Sequence, residues 1–436
     1  MSEKSDVSVN FDHHGPSFAA DRWAAVREIQ KCPVAWSDKH GGHWILSKYS
    51  DVDMAGREAD IFASGNDQGN GPKQGKNIPY QPTGAGGVIT TDSPRHGIVR
   101  KMMNPWFSPT AVKKLRPQFE EDVTFFIDRF IESGRADLVN DLIGPFPGLV
   151  TLRLLGVPVE YYERMAEIFH LSLYAEAGSP EAAKVVEGLN WIGGLFAGWI
   201  EERRASPTDD YLSFLANMEV DGVPLTLEEA VAEAVLVIGA GVDTTTALMG
   251  HTLRYLSAHP DVKEWLAEDP ARLGPACDEF LRYFTPVSAT ARTVMQDIRV
   301  RDQDLRAGDR VLLLWHAANH DPERFECPEQ VRLDRSKNRH LSFASGPHRC
   351  IGARFAEAEW EIVIAQMLKR LPDFEVIEEE VKPFPDLGIV AGFISLPIRF
   401  TPGPRIGTGK LDTQSAGLVM HEGEGQDWPD VADEAE

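Results

Sequence analysis

Phe343-Ala-Ser-Gly346-Pro-His348-Arg-Cys350-Ile-Gly352 opens directly onto a helix-like run that extends to about Arg370. A lone cysteine in a tight turn of small residues, at the mouth of a helix, is placed to offer one sulfur ligand to a metal centre. Neighbouring backbone N–H groups and the helix dipole stabilise the negative sulfur. Cysteine is also among the most buried residue types, so by itself Cys350 is equally consistent with inert packing. The other three cysteines, Cys32, Cys277 and Cys327, are scattered with no C-x-x-C pair. That usage predicts neither a disulfide framework nor a structural zinc site, and it fits a reducing cytoplasm.

The chain has 436 residues, 42% of them hydrophobic, with a formal charge of −23. Such acidity excludes non-specific nucleic-acid binding, which needs a positive footprint. Seven acids fall between Glu422 and Glu436 with no Lys or Arg, a composition that predicts a disordered acidic tail over 403–436. Residues 1–14 read as a flexible N-terminus without the apolar segment of a secretion signal. Residues 15–402 show no linker and predict one domain. The longest clean apolar run, Ala234 to Val242, is nine residues, short of the roughly 20 that span a bilayer. No membrane partner is expected.

Trp23, Val26 and Ile29 at helical spacing predict a helix over 17–31, and Val34–Trp36 and Trp44–Leu46 predict short strands. Seven glycines with Pro72, Pro79 and Pro82 make 65–87 a long loop, either a pocket cover or a surface excursion. Helical periodicity follows from Pro94 to Ile200, broken at Ser108-Pro109, Gly156-Val-Pro158 and Gly178-Ser-Pro180. Thr226 with Glu229 forms a capping-box pattern before the longest run, 227 to 258. At 1.5 Å per residue this is a rod of ~48 Å, and its apolar middle predicts passage through the core. Strands are expected near 298–316 and 390–400. The class is mainly α with small β-sheets (α+β).

Ala240-Gly241-Val242-Asp243-Thr244-Thr245 interrupts the middle of that rod. A buried acid costs several kcal/mol unless it is paired or used. A mid-helix Thr bonding the carbonyl four residues back can bend the helix, so a simple kink also explains the string. Glu279-Phe-Leu-Arg282 sets opposite charges three residues apart, ordinarily a weak surface pair. His96-x-x-x-Arg100 puts a donor and a guanidinium on one helix face.

Taken together, these strings resemble the cytochrome P450 family. The Cys segment is similar to its F-G-x-G-x-H-x-C-x-G signature, departing at Ala344, and 240–244 resembles its A/G-G-x-D/E-T motif. Phe355 and Glu357 stand where Leu and Arg are common. The resemblance spans about 15–402 and implies a long helix over haem b (iron protoporphyrin IX), with Cys350 as axial iron ligand. It assigns Thr244 as the hydroxyl beside bound O2 and Asp243 as the acid feeding protons inward. His96, Arg100, Arg292 and His348 fall where the family holds the haem propionates. Glu279 and Arg282 match its structural pair, completed by Arg335; Arg324 in Pro322-Glu-Arg-Phe325 sits too early.

By the same analogy Val237, Ala240, Gly241, Val287, Ser288, Ile389 and Val390 line a pocket for an apolar small molecule. The 65–87 loop and the 169–184 region act as lids, and Lys73 and Lys76 leave an anionic substrate open. The implied reaction inserts one oxygen atom of O2 into a C–H bond. Without a G-x-G-x-x-G after a strand or a Cys cluster, electrons are expected from a separate ferredoxin and its reductase. That partner would dock on a basic rim of Arg349, Arg354, Lys101, Lys113 and Lys114. A soluble bacterial monomer is implied. A peroxide-using haem enzyme or a haem sensor are the alternative classes, though neither needs the Asp243–Thr244 pair.

Overall fold

The computed structural model describes residues 7–67, 71–80, 86–413, 417–421 and 424. The helices that position the site are α1 (Arg22–Ile29), α2 (Tyr49–Arg57), α3 (Arg95–Met103), α4 (Pro109–Phe130), α5 (Pro145–Leu155), α6 (Tyr162–Ser172), α7 (Pro180–Ala205), α8 (Leu227–Ala258), α9 (Leu273–Phe284) and α10 (Ala353–Arg370). Ser108 and Ser179 cap α4 and α7 with their hydroxyls, and Pro follows each cap. Helix α8 has the bounds its capping box predicts, with the Thr226 and Glu229 side chains each bonding the other's backbone N–H. Such a cap contributes about 1 kcal/mol. By length and composition α8 could cross a membrane; here it packs against α5, α7 and α10 in the largest apolar cluster.

A five-stranded sheet stands to one side, ordered β1–β2–β5–β4–β3, with β1 (Val34–Ser37), β2 (His43–Leu46), β3 (Phe62–Ala63), β4 (Thr290–Val294) and β5 (Arg310–Leu313). Only β2 and β5 pair parallel. The expected helix over 17–31 divides at Asp21, whose carboxylate caps Ala24 N–H. Strand β4 is set by register: Arg292 pairs with Val311 and Ala291 with Leu312.

Both ends of the chain depart from expectation where they are described. Val9 N–H donates to the Trp36 carbonyl, and Phe11 and His13 are buried, so residues 7–14 are part of the body. The tail is anchored too. Asp128 accepts the N–H groups of Ile406 and Gly407. The Asp412 carbonyl receives Arg153, itself held bidentately by Asp122 at 2.7 Å. Leu418 is buried, with Leu411 and Met420 packed alongside. Three apolar residues hidden in an acidic composition supply the anchoring that net charge masked. The acid-rich end from 425 lies outside the described residues.

Ending the chain at Pro402 exposes the seat of Leu418 and strips partners from Asp128 and Arg153. We expect a loss of about 3 kcal/mol, read as a lower urea midpoint of the haem-loaded protein. An unchanged midpoint would contradict the anchoring.

Candidate active site

The Cys350 turn is seated by backbone contacts. Cys350 N–H donates to the Phe343 carbonyl at 2.8 Å, and the Arg100 guanidinium of α3 donates to the Arg349 carbonyl at 2.5 Å. Gly346 has φ +68°, and a Cβ there would lie 2.4 Å from the Gly56 carbonyl of α2, so only glycine fits. Ala344, the departure from the signature, also sits at positive φ, 58°. Burial pushes the Cys350 thiol above its ordinary range, while Arg100 and the Gly352 N–H pull it down. A metal cation at the sulfur removes such a proton outright.

Four nitrogen-bearing side chains converge beside this turn. The His96 and His348 rings lie 4.1 Å apart, and both feel the charges of Arg100 and Arg292. Burial, then these cations, lowers His96 to about 4; burial, Arg292, His96 and Arg100 lower His348 to about 2. Burial lowers Arg100 and Arg292 to about 10. Arg292 donates to the Ala291 carbonyl at 2.8 Å, and Arg100 to Asn104 at 3.1 Å. No carboxylate is ion-paired with either arginine among the described residues. A buried set of two guanidinium and two imidazole groups without a counter-anion fits a ligand carrying two carboxylates. With Cys350 adjacent, the donor set suits haem.

Across from the turn, Ala240 is exposed and Thr244 partly so, in the middle of a helix otherwise packed on every side. Ala240 is the least covered residue of the motif. Thr244 Oγ1 donates to the Ala240 carbonyl at 2.8 Å, and α8 runs unbroken through the motif. Asp243 is buried and bonded at 2.6 Å to Nδ1 of His170, on α6. The His170 ring lies against Tyr174 and Phe384, and its buried Nε2 has no partner. His170 is the site residue that sequence reasoning missed. It is 73 positions from Asp243, and no local motif announces it.

A Cβ at Gly241 would lie 2.6 Å from the Thr151 methyl of α5. Gly241, itself half-buried, therefore admits the close approach of a neighbouring helix. One pocket assignment needs correction. Ser288 is fully buried; it accepts from Arg22 at 3.2 Å and donates to the Leu387 carbonyl at 2.7 Å. Its role is to pin the 387–391 loop. Val287 and Val390 pair in an isolated bridge, and Val390 clusters with Ala247, Phe384 and Ile389 at the α8 face. Val237 is buried on the same helix. Lys73 is committed to Asp92 at 2.8 Å, so of the two loop lysines only Lys76, beside Arg292, keeps the role open. The loop itself is stitched to β4, with Ala291 N–H donating to the Lys76 carbonyl; residues 68–70 and 81–85 lie outside the described residues.

Glu279 and Arg282 are buried, not a surface pair. Arg282 grips both Glu279 oxygens at 2.8 and 2.9 Å and donates to the Asn319, Pro328 and Gln330 carbonyls. Arg335 reaches Glu279 at 3.0 Å. Arg324 instead lies over the Tyr49 ring.

A helical body crossed by one long helix, facing a cysteine turn ringed by buried cations, defines a haem-thiolate protein. The family model described as Cytochrome P450 matches residues 273–401. The steroid C26-monooxygenase of Mycobacterium tuberculosis is 31% identical over 93% of this chain and 100% of its own length. Cytochrome P450 130 of the same species is 30% identical over 78% and 84%. Among solved structures, CYP109E1 from Bacillus megaterium in complex with testosterone superposes with a TM-score of 0.78, at 27% identity, covering 88% of this chain and 99% of that one. The chain belongs to the cytochrome P450 family, an oxidoreductase of monooxygenase type whose cofactor is haem b. The family works with O2, a hydrophobic substrate and a redox partner.

Two outcomes follow from the site's strain and charge. Ala344→Gly relieves a left-handed backbone and should raise stability by about 0.5–1 kcal/mol, net of glycine's own entropy, in urea melts of the holoenzyme. Glu233 on α8 is buried with Oε2 unpartnered, and burial raises it to about 7. The folded state thus holds this proton where the unfolded state releases it. Stability falls as pH rises from the unfolded value near 4.5 through the folded one. Glu233→Gln should therefore melt progressively higher than the parent between pH 5 and pH 8, by about 2–3 kcal/mol at most. A pH-independent difference would contradict the buried carboxyl.

Proposed function

We propose that this protein hydroxylates an apolar molecule of about steroid size, with electrons from a separate ferredoxin and its reductase in the cytoplasm. The observation that carries the substrate reading is the apolar wall where Ala247 of α8 meets Phe384 and Val390, extended by Leu173, Tyr174 and Ile389. An apolar wall of this kind holds its ligand by shape and by removal of apolar surface from water, with the His170–Asp243 pair the polar group beside it. The steroid activity in one relative's name and the testosterone in one structural neighbour support the same class. Val237 and Ala240 extend the wall toward the cysteine turn, and Val287 closes it from the β4 side.

Cys350 would bind the iron, and His96, Arg100, Arg292 and His348 would hold the two propionates. Haem, when bound, supplies the oxygen-activating chemistry. The chain's own contribution is to deliver protons without admitting bulk water. His170, its side chain 14% exposed, bonds Asp243 Oδ1 at 2.6 Å, and a proton taken up by the ring would pass along that contact to the carboxylate. Thr244 donates to the Ala240 carbonyl, which leaves its oxygen lone pairs to accept from a donor in the cavity. Asp243 and Thr244 are adjacent residues about 100° apart around α8, one bonded to α6 and the other to its own helix.

The redox partner docks on the sulfur side. A cleft of about 410 Å3 opens there, with Arg57, Arg339, Arg349 and Arg354 among its walls against Asp278 and Glu357. Lys101 and Lys113 extend the rim, whereas Lys114 is bound by the tail through Glu424 and the Val419 carbonyl. On so acidic a chain, a local cationic patch steers an acidic protein.

Thr244→Ala should retain haem and the Cys-ligated carbon monoxide spectrum while diverting electrons from product to hydrogen peroxide. Asp243→Asn should slow turnover about 100-fold with coupling less affected. Equal coupling in Thr244→Ala and parent would remove the threonine from the relay. An optical titration of the holoenzyme with steroids and with similarly sized carboxylic acids decides the substrate class. A response to the acids alone would overturn the apolar reading.

A further inference from the structure

Four histidines gather where the N-terminal segment, the β1–β2 turn and the loops at Ile78 and Asp386 meet. The His13 ring lies 4.1 Å from His14, 5.7 Å from His40 and 6.0 Å from His43. His13 Nε2 contacts the Ile78 carbonyl at 3.0 Å. A carbonyl only accepts, so that nitrogen carries the proton and Nδ1 keeps its lone pair. Nδ1 is buried with no partner. His43 repeats the arrangement: Nδ1 donates to the Lys39 carbonyl at 3.2 Å, and Nε2 is buried and unpartnered. An imidazole fixed by a backbone carbonyl on one nitrogen, with the other bare, is how metal-binding histidines are held.

Ligand atoms of Asp12, His13 and His40 all lie within 4.8 Å of one another. His40 Nε2 and Asp12 Oδ1 are hydrogen-bonded at 2.8 Å, a contact in which a shared cation would take the place of the proton. His40 holds a left-handed backbone, φ 53°, at the β1–β2 turn, conformational strain that aims its ring back at Asp12. Its side chain is 22% exposed, so an ion can enter from solvent. Two imidazoles and one carboxylate suit a borderline metal such as zinc; calcium and magnesium require more oxygen donors.

We propose that Asp12, His13 and His40 bind one divalent transition-metal ion of the zinc class, with water completing the tetrahedron and His43 facing it. The ion ties the N-terminal segment to the β1–β2 turn. The tie continues inward. His14 bonds the Ile78 carbonyl at 2.8 Å and Asp386 at 2.6 Å. A Cβ at Gly388 would meet the His13 carbonyl oxygen at 2.8 Å. Residues 386–388 lead straight into Ile389 and Val390 of the pocket wall. Metal at this corner therefore stiffens one side of the substrate cavity.

Holoenzyme dialysed against EDTA, given a twofold excess of Zn2+ and desalted, should retain one zinc per chain by elemental analysis. Its melting temperature should rise by several degrees. His40→Ala and Asp12→Asn should each weaken zinc retention by about tenfold or more and abolish the melting shift. The Cys-ligated carbon monoxide spectrum of both variants should stay that of the parent, which separates this result from any failure of the haem site. No retained zinc, or equal retention in parent and both variants, would overturn the proposal.

Discussion

One backbone-on-backbone contact sets the geometry of everything around Cys350. Gly346 approaches the Gly56 carbonyl and the Arg57 Cα so closely that no side chain fits between them. The cysteine turn is thereby clamped to α2, and through Ser345 to the Asp53 carbonyl of the same helix. Arg100 clamps it from the other side by way of the Arg349 carbonyl. A thiolate must be held to within fractions of an ångström to serve one metal. Rigid main-chain contacts do this better than rotatable side chains. Ala344 is the one residue in the turn whose local preference opposes the shape it takes, and the clamps on both sides hold it there.

The irregular stretch from 319 to 342 depends on a second constraint, the buried Glu279. Its two oxygens receive Arg282, Arg335, the Arg332 N–H and the Asn338 amide. Charges taken out of water gain little net stability, but removing one partner strands the other at a cost of about 3–5 kcal/mol. The cluster therefore works as a specification device. A stretch with almost no secondary structure has one arrangement that satisfies all these donors, and that arrangement delivers the chain to Phe343 and the cysteine turn.

What was legible in the sequence is what local chemistry decides. The capping box at Thr226 and Glu229 and the unbroken apolar run gave both bounds of α8, and Gly352 with the run after it gave α10 to Arg370. Arg335 was separable from Arg324 because spacing to the cysteine turn is a local quantity. Direction and long-range pairing were not legible. Whether Gly241 faces a cavity or α5 depends on the rotation of α8, which periodicity leaves open when the helix is apolar all round. Ser288 reads as a pocket hydroxyl until Arg22 and Leu387 arrive from 266 positions upstream and 99 downstream. The tail's net charge concealed Leu411, Leu418 and Met420, because composition averages over the few residues that pack.

His170 links these two scales. Asp243 lies in a buried helix where an unpaired carboxylate is unfavourable by several kcal/mol, so a partner had to exist, yet only the fold names it. That partner stands on α6, beside Tyr174 and Phe384, in the region expected to cover the pocket. A proton station whose outer half rides on a lid element is coupled to the lid's position. Displacement of α6 by even 1–2 Å, the scale of ordinary helix shifts, breaks a 2.6 Å contact that direct proton transfer requires. On the function proposed above, the pocket wall at Phe384 lies against the same His170 ring that bonds Asp243, so proton supply would respond to occupancy of the pocket.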